Sequence, residues 1–139
     1  MQTLHEMSEV IYIGQVAVFY IPVQKLDSFE YLPEVTPRMI FEKYLMEHFN
    51  AFSFRISDTQ GFWREHHKSK IFVDENARYE VSFLGEEAVV KFVRFLSAMC
   101  ALIEEEAIYL VMGYKSWLIK PLQGDRDVIR RKIQGFQGL

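Results

Sequence analysis

The run from Val10 to Val23 constrains the fold more than any other stretch of the chain. Its 14 residues are apolar apart from Gly14 and Gln15, well short of the roughly 20 that a membrane-spanning helix requires. Its content of Val, Ile, Tyr and Phe favours a strand over a helix, because β-branched and aromatic side chains pack well on a pleated surface. Read with a period of two, one face carries Ile11, Ile13, Ala17, Phe19 and Ile21, and the other Val10, Tyr12, Val16, Val18 and Tyr20. Both faces are apolar, which predicts a central strand covered on both sides. Gly14 is the natural place for a bulge or a close backbone approach.

The rest of the chain is large enough to build one core around that strand. With 139 residues and 16.5 kDa the expectation is a single domain. Half of the residues are apolar and the aromatics comprise 12 Phe, 7 Tyr and 2 Trp, so no metal or disulfide is needed to hold the fold. The single cysteine, Cys100, allows no internal disulfide and fits a reducing compartment. A formal charge of −3 provides no global field toward nucleic acid or an anionic membrane. Met1 to Glu9 contains no Lys or Arg, unlike the basic start of a secretory leader. The expectation is a cytoplasmic protein with no membrane association.

Helix signals come next. Asp27 and Glu30 have capping-box spacing, closed by Pro33, so a helical turn is expected in the connector Lys25 to Thr36. Thr36 and Pro37 form an N-cap and first-turn pair that opens a helix to about Phe49, lined by Ile40, Phe41, Tyr44, Leu45 and His48. Ala51 to Ser57 alternates, with Phe52, Phe54 and Ile56 inward. Turns are expected at Asp58 to Gly61 and Asp74 to Asn76, with a short strand Ile71 to Val73 between them and another, Arg78 to Phe83, after them. Gly85 to Glu105 is the strongest helical pattern. Val89, Phe92, Val93, Leu96, Met99, Cys100 and Ile103 form its stripe, and Val90, Phe95 and Leu102 widen it beyond one sheet contact, which calls for a second neighbour. Ala107 to Met112 and Ser116 to Ile119 read as strands, and Gly124 and Asp125 cap a terminal helix carrying Ile129, Ile133 and Phe136.

The order strand, helix, strand, strand, helix, strand is that of a split βαβ unit. The fold class expected is α+β: a ferredoxin-like βαββαβ antiparallel sheet with helices on one face, plus a short C-terminal extension over 113–139. At this level the chain resembles the small ferredoxin-like proteins that oligomerise through their sheets, such as the PII and CutA signalling or metal-tolerance proteins and the dimeric α/β-barrel proteins. The resemblance covers roughly residues 10 to 112 and is one of element order. It implies a homo-oligomer; chemistry must be argued from the residues themselves.

Those residues exclude several classes. No Gly-rich segment leads into Lys-Ser or Lys-Thr, and no Gly-x-Gly-x-x-Gly follows a strand, so neither standard phosphate cradle is present. A Ser nucleophile elbow and a His-Glu-x-x-His helix are also absent. His66 and His67 are adjacent and would point to opposite sides of an extended chain, so a solvated loop outweighs a metal site. His48 is placed as a cap near a helix C-terminus. Cys100, flanked by Met99, Ala101 and Leu102, reads as core. The acidic run Glu104 to Glu106 reads as a solvated corner. Two basic clusters, Arg64 to Lys70 and Arg126 to Lys132, are diluted by Glu65, Asp125 and Asp127, which argues against nucleic acid.

The helix-free face of the sheet is left as the site. It is expected to carry Tyr12, Tyr20, Arg55, Arg78 and Glu80. Arginines can clamp a carboxylate or phosphate with a two-pronged fork, and tyrosines offer a flat wall and a hydroxyl. The leading reading is therefore a non-catalytic homo-oligomer that binds a small anionic ligand at a subunit interface, with no cofactor and no metal. The alternative is a small cofactor-independent enzyme of the dimeric α/β-barrel kind, with Tyr12, Tyr20 or Glu80 as acid or base. A nucleic-acid or protein adaptor comes third.

Overall fold

The computed structural model describes residues 2–28, 34–65 and 68–136, with residue 28 and the stretches 57–65 and 68–74 described by their backbone alone. Strand β1 (Gln15–Pro22) runs through the middle of an open, antiparallel five-stranded sheet. Short helix α1 (Val23–Ser28) follows it directly, then α2 (Pro37–His48), the hairpin of β2 (Ala51–Glu65) and β3 (Lys68–Phe83), and α3 (Glu86–Leu102). The chain ends with a second hairpin, β4 (Ile108–Met112) and β5 (Lys115–Ile119), and with α4 (Arg126–Phe136). The sheet order is β2-β3-β1-β4-β5: the four strands of the βαββαβ unit are joined by β5, the strand read at Ser116 to Ile119.

The centre of the first strand is as the sequence suggested, but its start and its covering are not. Gly14 has φ +118°, and a Cβ there would lie 1.8 Å from the Phe83 carbonyl oxygen. The chain turns away at that point, so Ile11 (83% exposed), Tyr12 (55%) and Ile13 (42%) lie outside the sheet and outside the core. Ala17, Phe19 and Ile21 are fully buried, whereas Val16 on the opposite face is 48% exposed. One face of β1 is therefore covered, not two. The reason is that α2 and α3 pack on the same side: Phe19 meets Phe41 of α2 at 5.9 Å and Phe92 of α3 at 5.4 Å between ring centroids.

Each helix is positioned by local signals. Thr36 Oγ1 accepts from the Met39 N–H at 3.4 Å and Pro37 occupies the first turn, as the sequence predicts for α2. The four apolar positions Ile40, Phe41, Tyr44 and Leu45 are buried. At the far end of α3, Lys25 Nζ donates to the Ile103 carbonyl at 2.9 Å, placing a cation where the helix dipole is negative. Asp27, expected as a cap, instead accepts two bonds from Arg38, from Nε at 2.9 Å and Nη2 at 2.8 Å, which ties α1 to α2. Glu30 and Pro33 lie outside the described residues.

The wide stripe of α3 does have a second neighbour, and it comes from the same chain. Ser97 Oγ donates to the Lys120 carbonyl at 2.7 Å and the Leu122 N–H to the Ser97 carbonyl at 2.9 Å. These bonds bring in α4, whose Ile129 and Ile133 are buried and whose Phe136 meets Phe95 at 5.9 Å. Asp125 caps α4 by accepting from the Val128 N–H at 2.9 Å. Val90 lies off this contact and is 53% exposed.

The two turns expected at Asp58 to Gly61 and Asp74 to Asn76 are not turns. Both lie inside one long hairpin whose ladder runs from Ala51↔Ser82 to Glu65↔Lys68, and they face each other there, Asp58 opposite Glu75 and Thr59 opposite Asp74. Strand β1 stops pairing at Pro22↔Asn76, so eight further pairs project beyond it as a two-stranded ribbon. The basic residues Arg64, Lys68 and Lys70 lie on this ribbon; His66 and His67 lie outside the described residues.

Two measurements follow from this packing. Gly14→Ala sets a side chain against backbone that cannot yield, and should cost on the order of 2–3 kcal/mol in urea unfolding. Gly113→Ala, where φ is +63° and nothing lies within 4 Å, should cost only the left-handed backbone penalty of about 1 kcal/mol. The Arg38 hydrogen bonds hold the Asp27 carboxyl below its ordinary value of 3.8, with burial acting weakly the other way. A carboxyl depressed in the folded state contributes stability that is present above its unfolded pKa and lost as pH falls through the folded value. The stability gap between the native chain and Arg38→Gln should therefore narrow between about pH 6 and about pH 3; a gap independent of pH would contradict the assignment.

Candidate functional site

The uncovered sheet face carries two adjacent cross-strand rows. Arg55 on β2 stands opposite Arg78 on β3, and Arg78 stands opposite Tyr20 on β1. The Tyr20 ring is 6.2 Å from that of Tyr109 on β4, and Tyr109 stands opposite Leu118 on β5. The next row holds Ser53, Glu80 and Val18, with Val111 opposite Val18 and Ser116 opposite Val111. Both rows follow from the period-two alternation that sends Phe19, Tyr79 and Leu110 to the helix side. The β2–β3 half of the face is therefore charged and the β1–β4–β5 half apolar and aromatic.

Four of the five expected site residues share this face: Tyr20, Arg55, Arg78 and Glu80. Tyr12 does not. Gly14 ends the strand before it, and Tyr12 packs instead on His5 of the N-terminal segment, 5.1 Å between ring centroids. Sequence parity missed Tyr109, which sits on a strand whose partner could not be read from the chain order.

Charge balance in the row is uneven. Arg78 Nη2 lies 3.2 Å from Glu80 Oε1, two residues along the same strand. Burial lowers the pKa of the Arg78 guanidinium, but hydrogen bonds with Glu80 and Tyr20 raise it by more, so it moves above the ordinary arginine value. Arg55 is exposed and has no ion-pair partner among the described residues. Like charges directly opposite on neighbouring strands repel. An anion between the two guanidiniums would remove that repulsion and accept from both forks.

A concave site also exists on the helix side, where the end of α2 meets the start of α3. A cavity of about 490 Å³ is lined there by Tyr44, His48, Phe49 and Lys91, together with the Gly85 to Glu87 turn. A smaller one of about 210 Å³ adds Glu47, Gly135 and Phe136. The sequence assigned Tyr44 to a core stripe and His48 to a cap. No local pattern shows that α4 closes the end of this crevice, so only the tertiary structure exposes it.

The other chemical candidates are accounted for by their surroundings. Cys100 is fully buried and its thiol donates to the Glu105 carbonyl at 3.3 Å; burial first, then the Glu105 charge, pushes its pKa up to about 12. Such a thiol is not a nucleophile at neutral pH. In the second basic cluster, Arg126 lies 3.7 Å from Glu104 and Arg131 donates to the Asp127 carbonyl at 3.3 Å. Among the described residues, no group of three or more His, Cys, Asp or Glu side chains is placed to hold a metal ion, and no helix is long and apolar enough to cross a membrane.

Comparisons with known proteins bear on the fold. No protein-family model matches the chain, and no curated protein matches it. Among solved structures, the chain is similar to a phage SAM lyase in complex with S-methyl-5'-thioadenosine, at 12% identity and a TM-score of 0.53, over 86% of this chain and 99% of the lyase. At that identity the likeness is one of architecture: an α+β protein built on an antiparallel sheet.

Proposed function

We propose that this chain is a cytoplasmic, ferredoxin-like, homo-oligomeric protein that binds a small anionic ligand, without catalysis, on the open face of its sheet at a contact between subunits. The ferredoxin-like assignment is supported by the strand order β4-β1-β3-β2 within the larger sheet, the order a split βαβ unit produces. The observation that carries the site is the juxtaposition of Arg55 and Arg78 beside Tyr20. Arg55 and Arg78 are cross-strand neighbours, Arg78 hydrogen-bonds with Tyr20, and Glu80 lies in the row beside them, 3.2 Å from Arg78. The subunit contact is supported by the apolar half of the same face, where Val16, Tyr109 and Leu118 remain 48%, 45% and 43% exposed. The wide stripe of α3, covered by α4, does not contribute to that argument. A ligand on the charged half would thus border the apolar contact.

A catalytic reading has one observation in its favour, the likeness to a SAM lyase that was solved with a thioadenosine. On that reading Tyr20 or Glu80 acts as acid or base on a related small substrate. Calorimetry with S-methyl-5'-thioadenosine as one probe and inorganic phosphate as another would separate nucleoside from simple anion recognition.

Replacing Arg55 and Arg78 together by Ala should abolish ligand-dependent thermal stabilisation and leave the oligomer intact. Replacing Lys68 and Lys70 should change little. Light scattering at micromolar concentration should return a mass above the 16.5 kDa of one chain. A monomer would remove the interface from the proposal. The reverse mutational pattern would move the site to the hairpin ribbon, and turnover of a SAM-type substrate would favour the enzyme.

A further inference from the structure

The ribbon at the end of the long hairpin has a free edge. From Asn76 to Phe83, strand β3 is paired by β2 on one side and β1 on the other. From Lys68 to Glu75 only β2 pairs with it among the described residues, over eight register positions. A two-stranded ribbon is marginal by itself in water, and a third strand or a packed neighbour is needed for independent stability. Sheet edges are commonly protected from further pairing by a proline, a bulge or charges along their length. This edge has no proline, its register is unbroken, and Ile71, Phe72 and Val73 run consecutively through its middle.

Charge is segregated along the same edge. Lys68 and Lys70 lie toward the tip of the ribbon and Asp74 and Glu75 toward its base, with the apolar run between them. An edge that is basic at one end, apolar in the middle and acidic at the other is complementary to itself run in the opposite direction. Two copies of an edge paired antiparallel about a two-fold axis keep their sheet faces, so opposed positions have the same parity. The register centred on Phe72 sets Phe72 against the second copy's Phe72, Ile71 against Val73, Lys70 against Asp74 and Ser69 against Glu75. The neighbouring registers that keep the faces do not match: centring on Ile71 sets Lys70 against Phe72, and centring on Val73 sets Phe72 against Asp74. A parallel pairing in register sets like charges together, which is destabilising.

We infer that the ribbons of two copies of this chain pair edge to edge, antiparallel and centred on Phe72, to form a four-stranded intermolecular sheet. The occupant of the edge is a second copy because the charge order of the edge supplies its own complement. This contact is separate from the open sheet face and does not depend on it.

Light scattering of the full chain over a concentration series tests the register by charge exchange. Lys70→Glu and Asp74→Lys each set like charges opposite one another twice across the two-fold axis, and each should weaken association about tenfold and halve the mass where the unaltered chain is still assembled. The double variant Lys70→Glu with Asp74→Lys restores opposite charges and should restore the mass. Lys70→Ala removes only an ion pair at a solvated edge and should change little, and Leu118→Ser on the open sheet face should leave this contact intact. Phe72→Cys should link two chains on mild oxidation, since directly opposed positions of an antiparallel pair lie within disulfide reach; Cys100 is fully buried and Tyr114→Cys, at an exposed position away from the ribbon, is the control that should not link. A monomeric native chain, single reversals that leave the mass unchanged, a double variant that stays dissociated, or no linkage through position 72 would each overturn the inference. Dissociation by Leu118→Ser with the reversals silent would overturn it in favour of the sheet face.

Discussion

The stack of Phe19 on Tyr79 is the contact on which the rest of the structure depends. The rings lie 4.9 Å apart and 10° from parallel, on adjacent central strands, and both residues are fully buried. Phe41 of α2 reaches both rings, and Phe92 of α3 closes on Phe19. Each such ring contributes about 2 kcal/mol from burial and about 1 kcal/mol more from its aromatic geometry. Tyr79 also has a buried hydroxyl without a hydrogen-bond partner among the described residues, a cost of about 1–3 kcal/mol that the surrounding ring contacts must offset.

Because that cluster draws both long helices to one side, the other face of the sheet is left open. What remains there is set by strand parity: every residue that alternates with a core position is presented on it. The chain uses these positions unevenly, with Arg55, Arg78 and Glu80 on one half and Val16, Val18, Tyr20, Tyr109 and Val111 on the other. On the function proposed above, a face so divided would place a small charged ligand next to an apolar contact.

The hairpin shows how a local signal can lose to cooperative pairing. Asp58 to Gly61 and Asp74 to Asn76 have the composition of turns. A turn at either would end the ladder, yet the register brings the two segments opposite each other, so each supplies the other's backbone partners. Composition alone cannot reveal that coincidence, because it depends on the register between strands.

The sequence by itself determined the elements whose signals are local. These are a β-branched first strand, the Thr36–Pro37 start of α2, the alternation of Phe52 and Phe54, the α3 stripe and the Asp125 cap. It also determined that Arg78 and Glu80 share a face, since parity is a property of each strand, whereas the placing of Tyr20 and Arg55 beside them came from the register between strands. Where β1 begins, which side of it is covered, how β2 and β3 pair, and that α4 supplies the second neighbour of α3 were decided only in three dimensions. Each of these turns on a contact between residues far apart in the chain. The clash that Gly14 avoids is with Phe83, Asp58 pairs with Glu75, and Phe136 walls the smaller of the two cavities beside Tyr44.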